Sequence, residues 1–379
     1  MLANGLSTAL ALLLCAATPA KILRAASTYT DGELPENKFG MGVYGTVPWE
    51  EQLSWTLNLT GHGGRVLLYM TLSFSENGDV ASCGECKPSA EEIATLQHAY
   101  TMGLRPVVRI GQYPRTIRDF SDDPKHLEYT SLAKAYRTFV AALPLPPTSP
   151  LEIILQNEPQ APDEWMCSGG GYLTLNITAA EVAGCVRDTM AALRTLPRLL
   201  LSPPPVTRVA PMRYPCVDNP SGKVSGGAQM GTDFIHAMLN AVPGLYAQAD
   251  FFNAHPYPIR NEPFSTPKGR AGTISYRAQL DATMNPSLPV LITECGWSGN
   301  NETEKATSFV AALQEEWLPD ARVVAVMPFL LTGVGVGGGQ FTQKGWDWVM
   351  MSPRPPSATL QYNATRALRC MVGVGGHCP

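Results

Sequence analysis

Eight short apolar runs, each followed by a stretch with helical periodicity, limit what this chain can become. The runs are 39–45, 65–73, 106–110, 151–155, 198–202, 250–255, 289–293 and 323–329. Between them, apolar residues recur every three or four positions. Leu53 and Leu57 follow Trp49; next come Ile93, Leu96 and Tyr100, then Leu132, Tyr136, Phe139 and Leu143, then Val182, Val186 and Leu193. The spacing returns in Phe234, Ile235, Met238 and Leu239, in Phe309, Val310, Leu313 and Trp317, and in Leu360 and Leu368. Ile274, Leu280 and Met284 carry it more faintly. Strand period followed by helix period is the mark of βα units and a parallel sheet. Ser89 with Glu92, and Thr178 with Glu181, have the spacing of capping boxes, and Gly103 is placed to end a helix. The proline-rich stretch 144–150 blocks helix and leads into the fourth strand.

Eight such pairs predict an α/β chain folded as a single-domain (β/α)8 TIM barrel spanning 30–379. An open doubly wound sheet would need a phosphate-binding turn after the first strand, and residues 43–48 do not supply one. The run GVGVGG at 333–338 matches G-x-G-x-x-G, but no amphipathic helix opens after it. It reads as a loop near the barrel mouth rather than a dinucleotide site.

In a barrel of this kind, the carboxyl ends of the strands line the active site. Two apolar strands end in acid. LEIILQNEPQ carries Asn157, Glu158 and Pro159, and LPVLITECG carries Thr293 and Glu294. A carboxylate in that position is costly to bury unless it has partners or a task. Two of them, 136 positions apart (294 − 158) on the fourth and seventh strands, suit a two-carboxylate glycosidase. One carboxyl gives a proton to the leaving oxygen; the other, ionised, attacks or activates water. Retention requires the two about 5–5.5 Å apart, and inversion roughly 6.5 Å or more.

Asn157-Glu158-Pro159 resembles the Asn-Glu-Pro signature of clan A glycoside hydrolases, the (β/α)8 families with retaining chemistry. Thr293-Glu294-Cys295-Gly296 resembles their nucleophile motif, and His255-Pro256-Tyr257 resembles the His-x-Tyr that many carry after strand six. The likeness runs in order and spacing over nearly the whole chain beyond its first residues. It implies Glu158 as acid/base and Glu294 as nucleophile. It further implies Asn157 on the 2-hydroxyl of the attacked sugar, Tyr257 hydrogen-bonded to the nucleophile, and His255 lining the same subsite. Arg109 is a candidate for setting the charge of Glu294. Many clan A members carry such an arginine on strand two, so a structural ion pair is the other reading. Trp297, Trp346 and Trp348, with Tyr113 and Trp165, are candidate platforms for sugar faces, with packing as the alternative for each. Cys295 reads as a packing or disulfide residue rather than a reactive thiol.

Composition narrows the rest. A net charge of −4 gives no electrostatic footing for nucleic acid. His62, His98, His126 and His236 lack metal-ligand spacing, and no metal or organic cofactor is expected. Residues 1–20, with the apolar run 9–17 and small residues up to Ala20, read as a secretory signal, with a start-site artefact or a membrane anchor as the alternative, and no later run is long enough to span a membrane. Sequons stand at Asn58, Asn176, Asn301 and Asn363. Of nine cysteines, Cys15 falls in the signal, leaving an even eight; Cys83 and Cys86 read as a local loop disulfide, and Cys370 with Cys378 could close the tail. The expectation is a secreted, monomeric, retaining hydrolase of a β-linked glycan. A transglycosylase and a catalytically silent glycan-binding barrel are the alternatives. The loops 168–174 and 203–224 are expected to set specificity.

Overall fold

The computed structural model describes residues 37–43, 48–73, 86–113, 120–159, 178–206, 229–332, 346–350, 356–376 and 378. The signal segment, Asn176, Trp165, Cys83, the loops 168–174 and 207–224, and the run 333–338 lie outside the described residues.

Five strands make one parallel sheet in chain order: β1 Gly40–Val43, β2 Arg65–Ser73, β3 Arg105–Tyr113, β4 Leu151–Leu155 and β5 Leu199–Ser202. Three more, β6 Phe252–Ala254, β7 Val290–Ile292 and β8 Val323–Val326, make a second. Both seams between the sheets are bridged. Phe39 pairs in parallel with Val326, Gly42 N–H donates to the Pro328 carbonyl at 3.1 Å, and Leu331 N–H donates to the Gly42 carbonyl at 2.9 Å, joining β8 to β1. At the other seam Asp250 N–H donates to the Leu201 carbonyl at 2.9 Å, and the Asp250 carboxylate accepts from Leu201 N–H at 2.7 Å. A side-chain oxygen there takes the place of one rung of a backbone ladder. The eight strands thus follow one another in the order of a (β/α)8 barrel.

Helices separate the strands at the expected places: α1 Trp49–Thr60, α2 Ala90–Thr101, α3 Thr130–Ala141, α4 Ala179–Leu193 and α5 Gln229–Ala241. α6 Pro267–Thr273 with α7 Ser275–Ala282, then α8 Glu302–Ala312 and α9 Leu360–Met371, complete the set. Both expected capping boxes form, at Ser89 with Glu92 and at Thr178 with Glu181. The faint pattern through Met284 does not hold: α7 stops at Ala282, and Met284 stands 80% exposed with φ 60°. Among the described residues no helix is long and apolar enough to cross a membrane.

Strand alternation sorts the core into shells. Leu68, Val108 and Ile153 belong to the large outer cluster with Leu96, Phe139 and Val186 from the helices. Leu67, Val107, Ile154, Phe251, Leu291, Ala325 and Met327 form a separate inner plug. Two residues toward the strand starts, the inner face turns ionic. Arg65 donates from Nε to Glu152 Oε2 and from Nη2 to Glu152 Oε1, each at 3.0 Å, and from Nη1 to the Val324 carbonyl at 2.8 Å. Two residues toward the strand ends, at Tyr69 and Arg109, it becomes polar again, and that level is the mouth.

Cys370 and Cys378 are disulfide-bonded, and Cys86 is also in a disulfide. Cys185 and Cys295 are free and buried, so the even count of eight does not mean that every cysteine pairs. Asn58, Asn301 and Asn363 are exposed.

The Arg65–Glu152 pair sits where neither charge meets bulk water. Breaking a buried pair by removing one partner costs about 3–5 kcal/mol, because the remaining charge is left uncompensated. Glu152→Ala should lower the unfolding free energy by about that amount in urea denaturation. A loss under about 1 kcal/mol would show that the pair does not hold the barrel floor.

Candidate active site

β4 delivers its acid through a kink. After Leu155 the chain passes through Gln156 at φ 67° and Glu158 at φ 27°, left-handed conformations that non-glycine residues avoid. The kink is pinned on both sides. Gln156 N–H donates to the Ile110 carbonyl at 2.8 Å, and the Gln156 amide donates to the Tyr136 hydroxyl on α3. Backbone held this way is strain that the surrounding structure must over-determine. Its result is that Asn157 and Glu158, consecutive residues, both reach side chains of the mouth.

Arg109 is the hub. It lies mid-strand in β3 and is 1% exposed. Its Nη1 donates to Asn157 Oδ1 at 2.7 Å and to Glu294 Oε1 at 2.5 Å. Its guanidinium carbon lies 5.5 Å from the ring centroid of Tyr69. Gly111 leaves room for that tyrosine: a Cβ there would lie 2.0 Å from the Tyr69 hydroxyl. Tyr257 donates to the other Glu294 oxygen at 2.9 Å. Burial by itself would push the Glu294 carboxyl up. The charges of His255 and Arg109, with hydrogen bonds from Arg109 and Tyr257, outweigh it and hold the carboxyl below the usual carboxylate range. Burial and the two nearby carboxylates push the Tyr257 hydroxyl well above its usual value, so it stays a donor.

Glu158 is placed differently. Its side chain keeps 16% of its exposure, and its Oε1 lies 2.7 Å from Nδ1 of the fully buried His255. His255 Nδ1 is also 3.6 Å from Glu294 Oε2. An oxygen of Glu158, an oxygen of Glu294 and a ring nitrogen of His255 all lie within 4.8 Å of one another. The two strand-end acids, one from each sheet, therefore meet in one place.

The tryptophans divide. Trp346 is half-buried at the mouth, its ring edge-on to Tyr257 at 5.4 Å and to Phe329 at 5.8 Å. Trp297 and Trp348 are not platforms. Trp297 is 2% exposed, donates to the Glu262 carbonyl at 2.8 Å and meets Phe309 of α8 at 6.5 Å. Trp348 is fully buried, 4.8 Å from the same Phe309. Both rings fill the space between barrel and helix, where no sugar can reach. Tyr113 ends β3, and its side chain lies outside the described set. Two polar residues at the site were not singled out as site residues by sequence. The Thr293 hydroxyl donates to Asn253 Oδ1 and lies 3.1 Å from His255 Nε2. Asn253 is the lone amide inside the apolar run that becomes β6, and that anomaly was the available signal.

No family model matches this sequence, and no curated protein matches it. Solved structures do. A family 39 glycoside hydrolase from Bacteroides cellulosilyticus WH2 superposes with a TM-score of 0.55 at 15% identity, over 88% of this chain and 65% of that one. A glucosidase from Croceicoccus marinus gives 0.56 at 12% identity, over 91% and 69%. A β-glycosidase, BGL167, gives 0.52 at 14% identity, over 85% of each. The chain spans just under two thirds of the length of the first of these. At such identities the likeness establishes the (β/α)8 fold.

The electrostatics give a direct test. In Arg109→Met the cation and its hydrogen bond are gone while burial remains, so the Glu294 carboxyl should titrate at least about one pH unit higher. Carbon-13 NMR of the labelled carboxyl reads this, and an unmoved midpoint would remove Arg109 as the cause. The sign for stability follows. A carboxyl with a depressed folded value stabilises the fold above its unfolded value of about 4.3 and loses that contribution as the pH falls through the folded value. Wild type should therefore lose more stability than Arg109→Met on acidification below that point.

Proposed function

We propose that this chain is a secreted retaining glycoside hydrolase acting on a β-linked glycan or β-glycoside. The observation that carries the reading is the meeting of Glu158 and Glu294 with oxygens within 4.8 Å. That spacing accords with double displacement, whose carboxyls stand about 5–5.5 Å apart.

Their surroundings assign the roles. Glu294, kept ionised by Arg109 and Tyr257, attacks the anomeric carbon. Glu158, partly open and facing His255, protonates the departing glycosidic oxygen and then takes a proton from the incoming water. Asn157, fixed by Arg109, is positioned for the hydroxyl next to the anomeric carbon, and Trp346 offers a ring face to the sugar. The β-configuration draws on the solved structures of the same fold, which include an exo-β-1,4-mannosidase and a monomeric β-xylosidase. Secretion draws on the apolar run at 9–17, the Cys370–Cys378 disulfide and the exposed sequon asparagines.

Glu294→Ala should leave the circular dichroism spectrum unchanged and abolish turnover across a panel of β-glucans, mannans, xylans and aryl β-glycosides. Turnover at the wild-type rate would refute the assignment. Proton NMR of the first product formed by the wild type should show the β-anomer; the α-anomer would mean inversion. Glu158→Ala should slow poor leaving groups by roughly 10²–10⁴-fold, the usual worth of a positioned acid, and activated aryl glycosides far less.

A further inference from the structure

Asn253 and Thr293 have no place in the two-carboxylate scheme, yet they are built into the floor of the same site. Asn253 is 1% exposed on β6, and Thr293, just past β7, is fully buried. Among the described residues, the Asn253 amide nitrogen is buried without a hydrogen-bond partner. An unpaired buried donor is a standing cost to the fold, and a leucine at that position would avoid it. What the amide does provide is an acceptor: its Oδ1 takes the Thr293 hydroxyl proton.

That bond has a consequence along the chain of contacts. A hydroxyl has one proton to give. Since Thr293 gives its proton to Asn253, toward His255 it can only accept. The His255 nitrogen at 3.1 Å, Nε2, must then carry hydrogen. Nδ1, 2.7 Å from Glu158 Oε1, is left as the nitrogen that exchanges a proton with the acid. The geometry points to Asn253 and Thr293 as positioning residues that keep a hydrogen on His255 Nε2, so that Nδ1 and Glu158 Oε1 share a single proton, available to the leaving group through Glu158. This rests on the glycosidase reading above for its role in turnover, though not for the tautomer itself.

The chemistry balances within the pair. With the proton on Glu158, its O–H donates to the bare Nδ1. On attack by Glu294 that proton passes to the glycosidic oxygen as the anomeric C–O bond breaks, and water returns a proton in the second step. Loss of the shared proton to solvent would set the Glu158 carboxylate against the Nδ1 lone pair, which disfavours that loss. If the lock is removed, the ring can switch to Nδ1–H and donate to the carboxylate, and Glu158 gives up its proton more readily. The other titratable groups facing this pair are Glu294 at 3.6 Å from Nδ1, Arg109 and Tyr257 through Glu294, and the buried Cys295 thiol beside it. None of them is among the hydroxyl's own hydrogen-bond partners, which are Asn253 and His255.

The experiment is the pH profile of kcat/KM on an alkyl β-glycoside, whose leaving group needs a proton. Thr293→Val and Asn253→Leu should each move the alkaline limb down by about one pH unit, the worth of a hydrogen bond to a charged group. Their effects should not add, and Thr293→Ser should restore the wild-type limb. With a dinitrophenyl glycoside, which needs no acid, the same variants should not move the limb. An alkaline limb that stays put in both variants, or moves equally in Thr293→Ser, would overturn the proposal. Nitrogen-15 NMR of histidine-labelled wild type, assigned by difference from His255→Gln, decides it without folded variants or turnover. A protonated Nε2 with Nδ1 shared supports the lock, and an Nδ1–H, bare-Nε2 ring overturns it. Wild type inactive on every glycoside while Nε2 carries the proton would instead sink the enzymatic reading and leave the tautomer standing.

Discussion

The contact between Arg109 and Glu294 is the constraint to which the rest of the mouth answers. A carboxylate buried to this depth would protonate unless a cation stood against it. Arg109 supplies that cation from the middle of a neighbouring strand, and it is itself fixed by Asn157 and the ring of Tyr69. The same device appears at the opposite end of the barrel, where Arg65 meets Glu152. The two ion pairs are separated by the apolar layer of Leu67, Val107 and Ile154. On β3 the inner face therefore runs charge, apolar plug, charge, from Arg105 through Val107 to Arg109, and on β2 it runs charge, apolar plug, polar ring, from Arg65 through Leu67 to Tyr69.

The kink at Gln156 and Glu158 is the second condition. A straight continuation of β4 would alternate its side chains, sending one of Asn157 and Glu158 away from the cavity. Left-handed backbone on either side of Asn157 lets both contribute. Tyr136, fully buried on α3, is part of the cost of that arrangement, since its hydroxyl holds the Gln156 amide in place.

Much of this was legible in the letters. The alternation of strand and helix gave the eight-fold architecture because apolar period follows backbone geometry closely, and the capping boxes at Ser89 and Thr178 formed where their spacing said. Glu158 and Glu294 stood out because a carboxylate ending an apolar strand is chemically anomalous. The aromatics were less readable. Trp297 and Trp348 sit near the same strand ends as Trp346, yet they pack against Phe309, and nothing in a linear pattern says which side of a turning loop an indole will take. Strand lengths also escaped: β6 and β7 stop short of His255 and Thr293 because those side chains already belong to the mouth. Asn253 and Thr293 were overlooked as partners because their meaning lies in a contact between neighbouring strands, which spacing along one strand cannot express.

The two acids belong to different sheets, and each is gripped from the other side. Arg109 of the five-stranded half holds Glu294, while His255 of the three-stranded half holds Glu158. The halves are laced crosswise at their rim, while below that rim one seam is spanned by Asp250 and Leu201. Parting the halves would stretch both laces at once. Heat or denaturant should thus break the Arg109–Glu294 and His255–Glu158 contacts together with the closure of the ring, so that loss of either contact reports the opening of the cylinder.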